Sequence, residues 1–210
     1  MKLFNRFLVK IANSLYPFKV FGLENIPNNN CVICSNHLSI IDVTYIVKLF
    51  NENTYFLAKK EVMQGKFVGK LLSSFGGIPI DRENVDIRTL MNLIKLLKNG
   101  NNLVVFPEGT RNKTGSTELL AFKGGSMLFA VKSKKAILPL IIYKKAKIFR
   151  KNYLIIGKPF ELSEFYDVQM TEDVISNLEI FVRDKMVLLQ KELFDNVDKL
   201  KKKGKKRDTI

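Results

Sequence analysis

Apolar residues recur along this chain with two distinct periods. Leu3, Phe4, Phe7, Leu8, Ile11, Ala12 and Leu15 fall at three- and four-residue spacing over residues 2 to 16, so they share one face of a helix that Tyr16-Pro17 ends. The same period returns in Ile87, Leu90, Met91, Ile94 and Leu97, terminated by Asn99-Gly100, and again over residues 171 to 200. Short apolar runs at 31–35, 55–58, 76–80, 103–106, 137–143 and 153–156 have the length and residue content of strands. Helices are also predicted over 40–50, over 60–74 in spite of Gly65 and Gly69, and over 124–132. Strands alternating with helices argue for an α/β protein, a single-domain sandwich with a mainly parallel or mixed sheet flanked by helices and preceded by an amphipathic helix. The expected organisation is an amphipathic membrane-interface helix at 1–18, one main domain over 19–199 and a disordered basic tail at 200–210.

Charge adds a class of partner. The chain carries a net charge of +15, which predicts attraction to polyanions such as membrane headgroups, phosphorylated substrates, an acidic carrier protein or nucleic acid. The N-terminal helix has Lys2, Arg6 and Lys10 beside its apolar face and no acid, the pattern of a helix that lies in a lipid interface, although such a helix also packs well on a domain. No apolar run approaches the length of a membrane-spanning helix, and residues 1–10 lack a signal-peptide pattern, so a peripheral or monotopic contact is expected. Cys31 and Cys34 lie three apart in a strand and point to opposite faces, which argues against a disulfide or a shared metal. Without a second cysteine pair no structural zinc site is expected.

The candidate chemistry centres on Asn36-His37-Leu38-Ser39-Ile40-Ile41-Asp42, which holds the only histidine. Five residues apart on a continuous helix, His37 and Asp42 would diverge by roughly 140°. A loop-to-helix corner brings them together: Ser39 reads as an N-cap and Asp42 as the third helical residue of an S-x-x-D capping pattern, with His37 on the loop just ahead. The bland alternative is that Asp42 only caps the helix. Ser39, as a cap, already has a structural role and is not favoured as a nucleophile.

Two later stretches join this one, Gly76-Gly77-Ile78-Pro79-Ile80-Asp81-Arg82 and Phe106-Pro107-Glu108-Gly109-Thr110-Arg111. Each puts an arginine on a turn after an apolar run, and arginine pairs suit a dianionic phosphate. Simpler roles are ion pairs of Arg82 with Asp81 or Glu83, and of Glu108 with Arg111. In the order NHLSIID, GGIPIDR, FPEGTR, the set resembles the PlsC-like glycerolipid acyltransferases, over about residues 36 to 139. Phe122-Lys123-Gly124-Gly125 is similar to a further family segment. The sequence departs from the family pattern in Ala136, where a first proline is usual before Pro139, and in Ser126, where alanine is usual.

The resemblance implies an acyltransferase moving a fatty acyl group from acyl-CoA or acyl carrier protein to 1-acyl-sn-glycerol 3-phosphate, giving phosphatidate. It implies His37 as general base oriented by Asp42, with Arg82, Glu108, Gly109, Thr110, Arg111 and Lys123 around the acceptor. It implies no metal and no cofactor besides the acyl donor as co-substrate. Glycerol 3-phosphate or another lysophospholipid is an alternative acceptor. A basic nucleic-acid or membrane-surface binding module is the alternative of another class, but no aromatics interleave the basic runs, so nucleic acid is not expected as a partner. The expected location is the cytoplasmic face of the cell membrane, on its anionic surface.

Overall fold

In the computed structural model, residues 3–50, 53–81, 87–123 and 125–207 are described. The elements are α1 (Leu3–Leu15), β1 (Phe18–Phe21), β2 (Val32–Ser35), α2 (Ile41–Phe50), β3 (Thr54–Lys59), α3 (Lys60–Met63), α4 (Val68–Ser74), β4 (Gly77–Ile80), α5 (Ile87–Lys98), β5 (Asn102–Val105), α6 (Leu128–Ser133), β6 (Ile137–Ile142), β7 (Asn152–Ile156) and α7 (Glu172–Arg207). The seven strands form one sheet in the order β1-β7-β6-β2-β5-β3-β4. β2, β3, β4, β5 and β6 run the same way, whereas β7 returns antiparallel to β6 and carries β1 parallel to itself. The carboxyl ends of five strands and the amino ends of β1 and β7 therefore share one edge. In an open α/β sheet that edge is where ligands bind.

Both faces of the sheet are covered, which is why its central strands are apolar throughout rather than alternating. On one face Val32, Cys34, Leu103, Val105, Ile137 and Ile141 pack with residues of α5, α6 and α7. On the other, Cys31, Ile33, Val104, Leu138, Leu140 and Ile142 pack around Tyr45 and Ile46 of α2. Cys31 and Cys34 thus face opposite layers, both free and buried. Burial pushes the Cys31 thiol up to about 12 and the Cys34 thiol further, as suits small core residues without reactivity.

The structure differs from the sequence reading in four places. The helix expected over 60–74 breaks into α3 and α4, and the second packs so closely on the first that a Cβ on Gly69 would stand 1.9 Å from the Met63 carbonyl oxygen. The helix expected from residue 124 begins only at Leu128, because Gly125 is left-handed at φ 77°. Residues 18–21 form an edge strand that their sequence pattern does not predict. Residues 200–207, expected as a disordered tail, continue α7. Lysines are good helix formers, and positive charge near a helix C-terminus is favourable, so loss of the apolar face did not end the helix.

α1 packs on the domain. Buried Asn5 donates to the Ser74 carbonyl, Val9 is buried, and the opposite side leaves Phe7 and Ile11 exposed. At its far end Leu15 accepts a hydrogen bond from Phe149 in the loop between β6 and β7. That loop is braced by buried Asn152, whose side chain receives the Lys147 N–H and donates to the carbonyls of Pro17, Lys147 and Arg150. Phe149 at its tip is left-handed (φ 53°), a conformation that a bulky residue keeps only where its surroundings impose it.

Candidate active site

The corner after β2 is built as the sequence pattern predicts. One oxygen of Asp42, Oδ2, accepts three hydrogen bonds: from Leu38 N–H at 2.6 Å, from Ser39 N–H at 2.7 Å, and from the His37 ring at Nδ1, 2.9 Å away. The second of these is the reciprocal bond of a capping box, and Ser39 Oγ accepts from Ile41 N–H at 3.3 Å. The capping pattern is thus the device that brings the acid to the ring. Since Nδ1 is turned to a carboxylate, it carries the proton, and Nε2 keeps its lone pair. Asp42 is fully buried and the imidazole is 16 % exposed, so the ring is reachable from one side only.

The loop after β5 is laced to this corner. Glu108 Oε1 accepts from His37 N–H at 3.1 Å, and Asn112 N–H donates to the His37 carbonyl at 2.7 Å. The other Glu108 oxygen accepts from Leu120 N–H at 3.2 Å. Both oxygens of this buried carboxylate therefore serve backbone groups, and its partners are these amides rather than Arg111. Phe106 stacks on the imidazole, with ring centroids 4.1 Å apart and planes 21° from parallel. Asn36, buried at the end of β2, exchanges two hydrogen bonds with the backbone of Ile142 and fixes the corner to β6. Losing such a pair leaves buried groups unmatched, at about 1–3 kcal/mol each.

Burial pushes the Glu108 carboxyl above the usual carboxylate range, and nearby Asp42 adds to this, while the two backbone N–H bonds and His37 oppose it. A carboxyl raised in the folded state stabilises most below its unfolded value, and that contribution is lost as pH rises through the folded one. Glu108→Gln cannot ionise. The stability of the wild type relative to this variant should therefore fall as pH is raised above about 4, the ordinary value of an unfolded glutamate, as read from urea unfolding at successive pH values. A rise with pH would show that the ionised carboxylate is net stabilising.

Gly109 turns the chain with φ 64°, and a Cβ there would stand 2.7 Å from Lys123 Cδ, so the lysine stem lies against the glycine. Lys123 N–H also donates to the Pro107 carbonyl at 2.9 Å. Fold contacts thus bring His37, Asp42, Glu108, Gly109 and Lys123 together. Thr110 and Arg111 are exposed on the same loop, within two residues of Gly109. Arg82 lies outside the described residues; Asp81, which precedes it in the sequence, leaves the carboxyl end of β4. Among the described residues no group of three or more histidine, cysteine or acidic side chains is arranged to hold a metal ion.

Beside this corner opens an apolar cavity of about 630 Å³, walled by Leu57, Leu93, Val105, Phe106, Leu128 and Phe129 and edged by Gly109 and Lys123. Its far wall includes Glu179 of α7, which receives the Gly125 N–H and whose carboxyl is pushed up by burial. Ser126, where the resembled family has alanine, lines the same cavity. Phe106, Asn112 and Asn36 hold the site through contacts that the sequence alone does not assign. Phe106 and Asn36 stand inside quoted motifs, immediately after strands, whereas Asn112 carried no signal.

The chain matches the family model described as Acyltransferase over residues 17–143. It is 31% identical over 194 residues to the 1-acyl-sn-glycerol-3-phosphate acyltransferase of Borreliella burgdorferi, covering 87% of this chain and 76% of that one. With the Bacillus subtilis protein of the same name it shares 31% identity over 172 residues, or 77% and 82% of the two chains. The crystal structure of the 1-acyl-sn-glycerophosphate (LPA) acyltransferase PlsC from Thermotoga maritima is similar with a TM-score of 0.62 at 26% identity, covering 88% of this chain and 80% of that one.

Proposed function

The chain belongs to the acyltransferase family, and from that premise we propose that it transfers a fatty acyl group from acyl-CoA or acyl carrier protein to the free hydroxyl of 1-acyl-sn-glycerol 3-phosphate, forming phosphatidate. The His37–Asp42 pair at 2.9 Å is the observation that carries this reading. Nε2 of His37 takes the hydroxyl proton as the oxygen attacks the thioester carbonyl, and Asp42 stabilises the imidazolium that forms. The new C–O bond forms, the C–S bond breaks, and the proton passes from His37 to the departing thiolate. Asp42 keeps the ring in one tautomer and Glu108 keeps its backbone in place, so the base meets the alcohol already oriented.

Arg111, Lys123 and Arg82 supply the cations for the acceptor phosphate, with Gly109 letting the backbone turn close beside it. The apolar cavity next to Phe106 has the volume and lining of a site for a fatty chain. Arg111→Ala should therefore raise the apparent KM for the lysophosphatidate by roughly tenfold or more, the value of one charge-assisted hydrogen-bond pair, with the acyl-donor KM little changed. A rise confined to the donor would assign Arg111 to the other substrate. The overall test is a panel of acceptors, lysophosphatidate, glycerol 3-phosphate and other lysophospholipids, each incubated with labelled acyl-CoA or acyl carrier protein. Labelled phosphatidate from lysophosphatidate is the expected product, and acylation of another acceptor in its place would reassign the substrate.

A further inference from the structure

The edge of the sheet that carries His37 also carries large apolar side chains facing solvent. After β3, Val62, Phe67 and Val68 are exposed, Phe67 at 81%. In the loop leaving β6, Ile148 and Phe149 are exposed, Phe149 at 74%. Between them, next to the histidine itself, Ile40 is 60% exposed. β3 and β6 stand three strand spacings apart, roughly 14 Å, with β2 and β5 between. The two apolar prongs thus flank the histidine corner, on the side where the strands end.

Each prong is set in positive charge. Residues 59–70 hold Lys59, Lys60, Lys66 and Lys70 against Glu61 alone, and Glu61 already faces Lys59 at 3.6 Å. Residues 144–151 hold Lys144, Lys145, Lys147, Arg150 and Lys151 with no acid. The second prong is also built to project. Asn152 makes three hydrogen bonds to the loop and a fourth to Pro17, Leu15 receives the Phe149 N–H, and the phenylalanine is left-handed yet contributes its ring to solvent rather than to the core. Bulky rings amid lysines on a rigid support match an anionic lipid surface, whose headgroups take the charges and whose acyl boundary takes the rings.

We propose that this edge docks on anionic membrane, with Ile148 and Phe149 on one side and Phe67 and Val68 on the other entering the lipid interface, so that the His37 corner opens toward the bilayer. The proposal deepens the acyl-transfer reading by naming the surface through which a lipid acceptor arrives, and its test reads lipid contact without turnover. A carrier protein would be recognised by the charges, but it would leave the exposed rings without a role.

The chain has no tryptophan, so a single introduced one reports its own surroundings. Phe149→Trp, Phe67→Trp, Phe7→Trp on α1 and Ile180→Trp on α7 are each mixed with vesicles of phosphatidylcholine and phosphatidylglycerol. Emission from positions 149 and 67 should shift to the blue and be quenched by brominated acyl chains, while position 180 stays unchanged. Replacing Lys144, Lys145 and Lys147 together by serine should lower vesicle affinity about a hundredfold, at roughly fivefold per charge, and leave acyl transfer in detergent solution at the wild-type rate. Absence of vesicle binding, or a shift at position 7 with none at 149 and 67, overturns the proposal. So does a shift at 149 caused by acyl carrier protein in lipid-free buffer and not by vesicles.

Discussion

Replacing His37 with alanine is expected to lower turnover by about two to four orders of magnitude, the contribution of a positioned general base. That range corresponds to roughly 3 to 5 kcal/mol of lost transition-state stabilisation. The ring is held on one side by Asp42 and on one face by Phe106, so its removal empties the position those contacts fix. The chain has one histidine, and no second imidazole can take its part. The fold should survive, because the backbone bonds of residue 37 to Glu108 and Asn112 do not involve the ring. Acylation of lysophosphatidate measured beside a thermal melt separates the two effects. Near-normal turnover in a folded variant would reject His37 as the base.

Asp42 gives the second large effect, with a different signature. Asp42→Ala removes the acceptor of three donors at once, two of them backbone N–H groups in a half-buried turn, and should cost about 2–5 kcal/mol of stability as well as most of the activity. Asp42→Asn keeps an oxygen for the two amides but loses the charge that stabilises the imidazolium. This variant should fold nearly as well as the wild type, with kcat down about a hundredfold or more and the acceptor KM within about twofold. That split marks a residue acting through the base instead of through the substrate. If Asp42→Asn turned over at the wild-type rate, the carboxylate would be a helix cap and nothing more.

What the sequence disclosed depended on how far apart the interacting residues stand. The His37–Asp42 corner is local, so the capping pattern that makes it is written within six residues. Glu108 bonds to His37, 71 residues away, and to Leu120, 12 residues away, and nothing in the local pattern distinguishes that carboxylate from one facing a substrate. The same contrast runs through the fold. α1 and α5 declared themselves through periodicity, whereas β1 is a four-residue edge strand with an exposed Lys19 and too little alternation to register. The break between α3 and α4 follows from a close approach at Gly69, a tertiary contact that a one-dimensional pattern cannot carry.

The lacing of residue 37 to the loop after β5 constrains how such an enzyme diversifies. Its amide and its carbonyl are both engaged by residues 108 and 112, so any remodelling of that segment drags the imidazole along. The distal wall of the cavity, contributed by Leu90 and Leu93 of α5 and by Ile175 and Glu179 of α7, stands apart from those two backbone bonds of residue 37. Under the proposed function, those two helices are where evolution or the protein engineer would alter preference for one acyl chain over another while leaving the backbone bonds of residue 37 in place.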